Sequence, residues 1–94
     1  MYDYDVKAVH THTSAVLLTG RHRVRGLVFT HDTGVSGNIV LYDNATAASG
    51  TVLMEVDETN QGTNDVIIPG RGILAKSGVY AALPANTTLT VFYE

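Results

Sequence analysis

The apolar positions fall into short runs cut by turn residues, which is the rhythm of strands rather than of helices. Gly20, Gly26, Gly34, Gly37, Gly50, Gly62, Gly70, Gly72 and Gly78 punctuate the chain, helped by Pro69, Pro84, Asp43-Asn44 and Asn60. The runs between them are rich in Val, Ile, Thr, Tyr and Phe, side chains that suit a pleated, half-buried surface. Strands are expected near Val6–Thr11, Ala15–Leu18, Arg21–Thr30, Asn38–Tyr42 and Thr51–Val56. Others are expected near Asp65–Ile68, Ile73–Ala75, Val79–Leu83 and Thr88–Tyr93. Strict alternation puts Val52, Met54 and Val56 on one face of their strand, with Glu55 and Asp57 on the other. Leu89, Val91 and Tyr93 alternate with Thr88, Thr90 and Phe92, so the last strand has two usable faces, one of them a candidate for contact with another chain.

The first nineteen residues lack Gly and Pro, but Val6, Val9, Thr11, Thr13, Val16 and Thr19 are β-branched and argue against a helix there. Ala45–Ser49 has the composition of a single turn. The pattern predicts an all-β chain with residues 1–94 forming one domain. Its expected architecture is a small β-sandwich or jelly-roll-like domain of about eight short antiparallel strands.

Composition narrows the function classes. Apolar residues make up 45% of the chain, enough for a core and too many for a disordered segment. Without cysteine there is no disulfide, thiolate zinc site or thiol nucleophile. The net charge is −3 with only six Lys and Arg, so wholesale neutralisation of nucleic-acid phosphates is not expected. No apolar run has the length of a membrane span, and the acidic, aromatic start Met1-Tyr2-Asp3-Tyr4-Asp5 is unlike a signal peptide.

Four features could carry chemistry. Arg21, Arg23 and Arg25 alternate along one strand and hold half of the cations, a row suited to reading phosphates, to bidentate pairing with a partner's carboxylates or to a solvated face. No aromatic side chain interleaves with them, as a nucleic-acid surface would normally require. His10-Thr11-His12 puts two imidazoles on one strand face, as cupins do, but the carboxylate that continues their pattern is missing, so no metal site is expected within one chain. Asn44-Ala45-Thr46 and Asn86-Thr87-Thr88 match the glycosylation sequon and are read as chance.

Asp32-Thr33-Gly34 is the triplet of aspartic proteases, and Ile67-Ile68-Pro69-Gly70-Arg71 resembles a segment of the small retroviral-type enzymes. Those enzymes place apolar residues before the aspartate, whereas Thr30 and His31 stand here, and the interval to Gly70-Arg71 is too short for their flap. The triplet is read as turn chemistry. The expectation is a protein that is not an enzyme and needs no cofactor.

From Gly20 onward the order of segments resembles small β-rich virion proteins of tailed bacteriophages, especially marine and cyanobacterial ones. The residues that carry the resemblance are Gly20-Arg21 into Val24-Arg25-Gly26-Leu27-Val28-Phe29, then Thr33-Gly34-Val35-Ser36-Gly37 into Ile39-Val40-Leu41-Tyr42-Asp43. Val52-Leu53-Met54, Ile67 to Ile73, Val79-Tyr80-Ala81-Ala82-Leu83 and Leu89-Thr90-Val91-Phe92-Tyr93 follow in the same order. The resemblance implies a structural role in the virion, assembled in the host cytoplasm, with a capsid decoration (cement) protein as the leading expectation. The expected partners are the major capsid protein and further copies of the chain, a trimer being favoured, and neither a membrane nor nucleic acid. Arg21, Arg23, Arg25, Tyr80 and Phe92 are the expected interface residues. The alternative is a tail or fibre component binding a host glycan, with Tyr2, Tyr4, Tyr42 and Tyr80 as stacking surfaces.

Overall fold

The computed structural model describes residues 6–31, 37–58 and 62–94. Among them are nine strands and no helix: β1 (Lys7–Thr11), β2 (Ala15–Thr19), β3 (His22–His31), β4 (Gly37–Tyr42), β5 (Val52–Glu58), β6 (Gly62–Ile67), β7 (Ile73–Ala75), β8 (Gly78–Ala82) and β9 (Thr87–Tyr93). They form two sheets, ordered β1-β9-β3-β6 and β2-β8-β4-β5, with β7 paired to β3 beyond the end of β6. Every pairing is antiparallel.

The order follows from one long hairpin. Strand β4 pairs with β5, β3 with β6 and β7, β2 with β8, and β1 with β9, as successive rungs. The hairpin then rolls up so that β9 also meets β3 and β8 also meets β4. This is the double-sheet jelly roll, with β7 as an extra short strand. Asn44 organises the turn expected over Ala45–Ser49, where bends form rather than a helical turn. Its Oδ1 accepts from the Thr46 and Ala47 amides at 2.8 and 2.9 Å, and its Nδ2 donates to the Ser49 carbonyl at 3.1 Å. The side chain of that sequon is thus engaged within the chain.

Both sheets supply the core. Val24, Leu27, Phe29, Leu89, Val91 and Ala75 from the first sheet meet Leu18, Ile39, Leu41, Val79 and Ala81 from the second. Each fully buried large side chain contributes roughly 1.5–3 kcal/mol. Alternation is clean in β4, β8 and β9, so Tyr42, Tyr80 and Phe92 point away from the core.

Three bulges change the phase of the alternation: one makes Leu17 the extra residue of β2, so that Leu17 and Leu18 both pack on the core, and the other two lie in β3 and β5. An unbroken β3 would put Arg23 and Arg25 on the same face as the buried Leu27 and Phe29. Instead Val24 pairs with Tyr93 and Gly26 with Phe92, leaving Arg25 without a partner in β9. The extra residue shifts the phase, so Val24 enters the core and Arg23 points out. Between β4 and β5, Leu41 pairs with Met54 and Tyr42 with Val52, which makes Leu53 the extra residue. Val52 therefore lies outside, 47% exposed, while Met54 and Val56 pack on the core. The expected shared face of these three residues holds only for the last two.

Candidate functional site: a cationic cleft and two outward rows

The β3 bulge builds the cleft. Where Arg25 leaves the ladder, its carbonyl accepts from the Ile68 amide at 3.1 Å, and the chain then turns through Pro69–Gly72 to start β7. The Gly72 amide closes that turn on the Pro69 carbonyl at 3.3 Å. Gly70 has φ +67°, which the first central position of a type II′ turn requires. Gly72 has φ +81°, and a Cβ there would lie 2.2 Å from the Val24 carbonyl oxygen. The turn thus presses against the backbone of β3 and projects Arg71 beside the arginines of that strand.

Arg25 reaches across the bulge and forms a salt bridge with Glu94. Arg71 approaches the other carboxylate oxygen of Glu94 at 3.6 Å. Glu94 is fixed by its backbone, exchanging hydrogen bonds with Arg23 at 3.0 and 2.9 Å just beyond the last pair of β9. An open cleft of about 200 Å³ is lined by Arg21, His22, Arg23, Arg71, Leu74 and Glu94. The His22 ring meets Tyr93 edge-on at 5.4 Å, and Nδ1 lies 3.2 Å from the Gly20 carbonyl. A carbonyl only accepts, so that nitrogen carries a proton.

The three arginines expected to share a face are therefore divided. Arg21 precedes β3 and is exposed, Arg23 is half-buried on the cleft wall, and Arg25 is held by Glu94. Sequence reasoning missed Arg71, Leu74 and Glu94. One signal was available: Val24 and Leu27 cannot share a face of an unbroken strand, so two core residues at that spacing mark a bulge.

Tyr80 and Phe92 each lie on an outward row. On the second sheet, Val16 pairs with Tyr80, Tyr80 with Tyr42, and Tyr42 with Val52. This apolar row crosses all four strands, and its end residues Val16 and Val52 are 37% and 47% exposed. On the first sheet, Ala8 pairs with Phe92, Phe92 with Gly26, and Gly26 with Ile67. Ile67 is 81% exposed. Gly26, between Phe92 and Ile67, is buried, and a Cβ there would come within 2.8 Å of the Val66 carbonyl oxygen.

His10 is exposed on the outer side of the first sheet, with Nδ1 2.8 Å from the Thr90 hydroxyl. His12 lines a second, polar hollow of about 260 Å³ with Thr30, Asn86, Thr87 and Thr88. Among the described residues no three His, Asp or Glu side chains gather as metal ligands. No helix among them is long and apolar enough to cross a membrane. Asp32-Thr33-Gly34, Tyr2 and Tyr4 lie outside the described residues. Comparison of the chain with protein-family models, with curated proteins and with solved structures gives no match.

Proposed function

We propose that this chain is a structural protein of a tailed-bacteriophage virion, a decoration module that coats the head as an oligomer. The observation that carries this reading is the pair of outward apolar rows, one on each face of a single sandwich. A Val or Ile left in water forgoes roughly 1.5–3 kcal/mol that burial would supply, so outward rows that are exposed at Val16, Val52 and Ile67 and half-buried at Tyr42, Tyr80 and Phe92 mark contact surfaces. Two such surfaces on opposite sides suit a module that must touch two things, the major capsid protein beneath it and a neighbouring copy beside it. A closed set of copies, a trimer in the leading form, satisfies both faces without growing into a fibre. The segment order from Gly20 to Tyr93 supports the same role by its resemblance to phage virion proteins. Jelly rolls serve many functions, so the fold alone adds nothing to the argument.

The test is co-sedimentation with phage heads assembled without this protein, together with its oligomeric mass in solution. Tyr80→Ser with Val16→Thr alters one face, and Phe92→Ser with Ile67→Thr the other. One variant is expected to lose head binding at least tenfold and the other to lose self-association, with the circular dichroism of both unchanged. Full binding and assembly by both folded variants would refute the reading. Tyr42 and Tyr80 paired on an open face also suit stacking on a sugar ring, the alternative role in a tail or fibre. Binding to a host-glycan array with no affinity for heads would favour it.

A further inference from the structure

The cleft lies on the outward face of the first sheet. Arg23 stands between Leu74 of β7 and Glu94 at the end of β9, and all three point outward because Ala75, Val24 and Tyr93 pack inward. The next outward row beyond the Arg25 bulge is Ile67, Gly26, Phe92 and Ala8. The two rows lie side by side across the sheet, so a segment running along the strand direction crosses the apolar row and then enters the cleft.

The charge of the cleft is unlike that of the molecule. Arg21, Arg23, Arg25 and Arg71 are four of the six Lys and Arg in the chain, and Glu94 is the one carboxylate among them. The lining side chains, three arginines against Glu94, carry +2 on a chain whose net charge is −3, and Arg25 approaches Glu94 from outside the lining. Glu94 is shared by Arg25 and Arg71, while Arg21 and Arg23 have no ion-pair partner among the described residues. Guanidinium forks match carboxylates bidentately. Leu74 adds an apolar surface for the methylene stem of a carboxylate side chain.

We propose that this cleft receives the carboxylates of an acidic segment of a partner polypeptide, anchored by Arg21 and Arg23 while the rest of the segment crosses the Phe92–Ile67 row. The inference deepens the assembly reading by naming what the partner offers: Asp or Glu beside an apolar residue. Glu94 keeps Arg25 and Arg71 in place and, as a like charge, moderates the affinity. Binding is therefore reversible and falls with salt.

The test uses the full chain and three probes: acetylated tetra-aspartate amide, tetra-asparagine amide and inorganic phosphate. Each is titrated at low ionic strength while the arginine side-chain N–H signals are followed by NMR. Tetra-aspartate is expected to bind saturably and to shift the Arg21 and Arg23 signals, and tetra-asparagine to do neither. Arg21→Gln with Arg23→Gln should weaken binding at least tenfold with backbone signals otherwise unchanged. Glu94→Gln, which removes the competing carboxylate, should strengthen it severalfold. The proposal is overturned if tetra-aspartate shifts nothing, if phosphate displaces it at equal or lower concentration, or if both variants lose binding alike. It is also overturned if Asp3→Asn with Asp5→Asn tightens binding tenfold, because the cleft would then serve the acids of its own chain. The peptide titration involves no heads, so failure here leaves head binding by the apolar rows to stand or fall separately.

Discussion

Asp43 directly follows β4, and its side chain holds the β7–β8 turn in place. Oδ1 accepts from the Ser77 amide at 2.8 Å and the Gly78 amide at 3.4 Å, and Oδ2 accepts from the Lys76 amide at 3.1 Å. One carboxylate thus takes three backbone donors from a turn more than thirty residues away in sequence. A hydrogen bond to a charged group contributes about 1.5–3 kcal/mol, but Lys76 and Ser77 are exposed and their amides can turn to water when the acceptor goes. The loss in Asp43→Ala is therefore expected near 2 kcal/mol, about the value of one good charge-assisted bond rather than three. For a domain of this size that lowers Tm by roughly 10 °C. Asp43→Asn keeps one acceptor oxygen and should lose about half as much. The pH dependence follows from the same contacts. The amides of Ser77 first and Lys76 next favour the ionised form, against some desolvation, and hold the Asp43 pKa below its ordinary 3.8. A carboxylate with a depressed folded pKa stabilises the fold above its unfolded pKa, and that contribution is lost as pH falls through the folded value. The stability gap between wild type and Asp43→Ala, measured by urea unfolding, should be constant from about pH 7 to about pH 5 and narrow below about pH 4. A gap under about 0.5 kcal/mol at neutral pH, or one equally large at about pH 3, would refute the reasoning.

Three further substitutions probe the turn beside the cleft and the corner of the roll. Gly72→Ala must fit a Cβ 2.2 Å from the Val24 carbonyl oxygen at φ +81°, whereas at Gly70, with φ +67°, nothing lies within 4 Å. Gly72→Ala should cost more than about 3 kcal/mol and Gly70→Ala only about 1–2 kcal/mol in urea unfolding; equal costs would contradict the described turn. Ser14 ties the β1–β2 corner to the end of β8, accepting from the Leu83 amide at 2.9 Å and donating to the Leu83 carbonyl at 3.4 Å. Ser14→Ala is expected to cost about 1 kcal/mol and to speed hydrogen exchange at the Leu83 amide, and unchanged exchange there would remove that bond from the account.

How much the sequence disclosed differs from element to element. β7 lies at Ile73–Ala75 as expected, and the other strands shift by a few residues, β6 most, since it starts at Gly62 rather than Asp65. These ranges were legible because β-branched runs and glycine or proline stops act over a few neighbouring residues. Facing was legible only where alternation continued unbroken, as in β9, where Leu89 and Val91 are buried and Phe92 is turned outward. It failed at Val52, where one inserted residue inverted the face.

Local chemistry in the chain therefore determined the all-β class, the positions of the turns and the outward placing of Tyr80 and Phe92. The tertiary structure alone decided the rolled strand order, the bulge at Arg25, and the meeting of Arg25 with Glu94 across 69 residues and of Arg71 with the same carboxylate. The physical reason is range. Propensity and alternation depend on a residue and its nearest neighbours, but a bulge depends on which strands lie alongside, and an ion pair on which ends of the roll coincide. Those depend on how two sheets bury one core, and no short stretch of sequence carries that information.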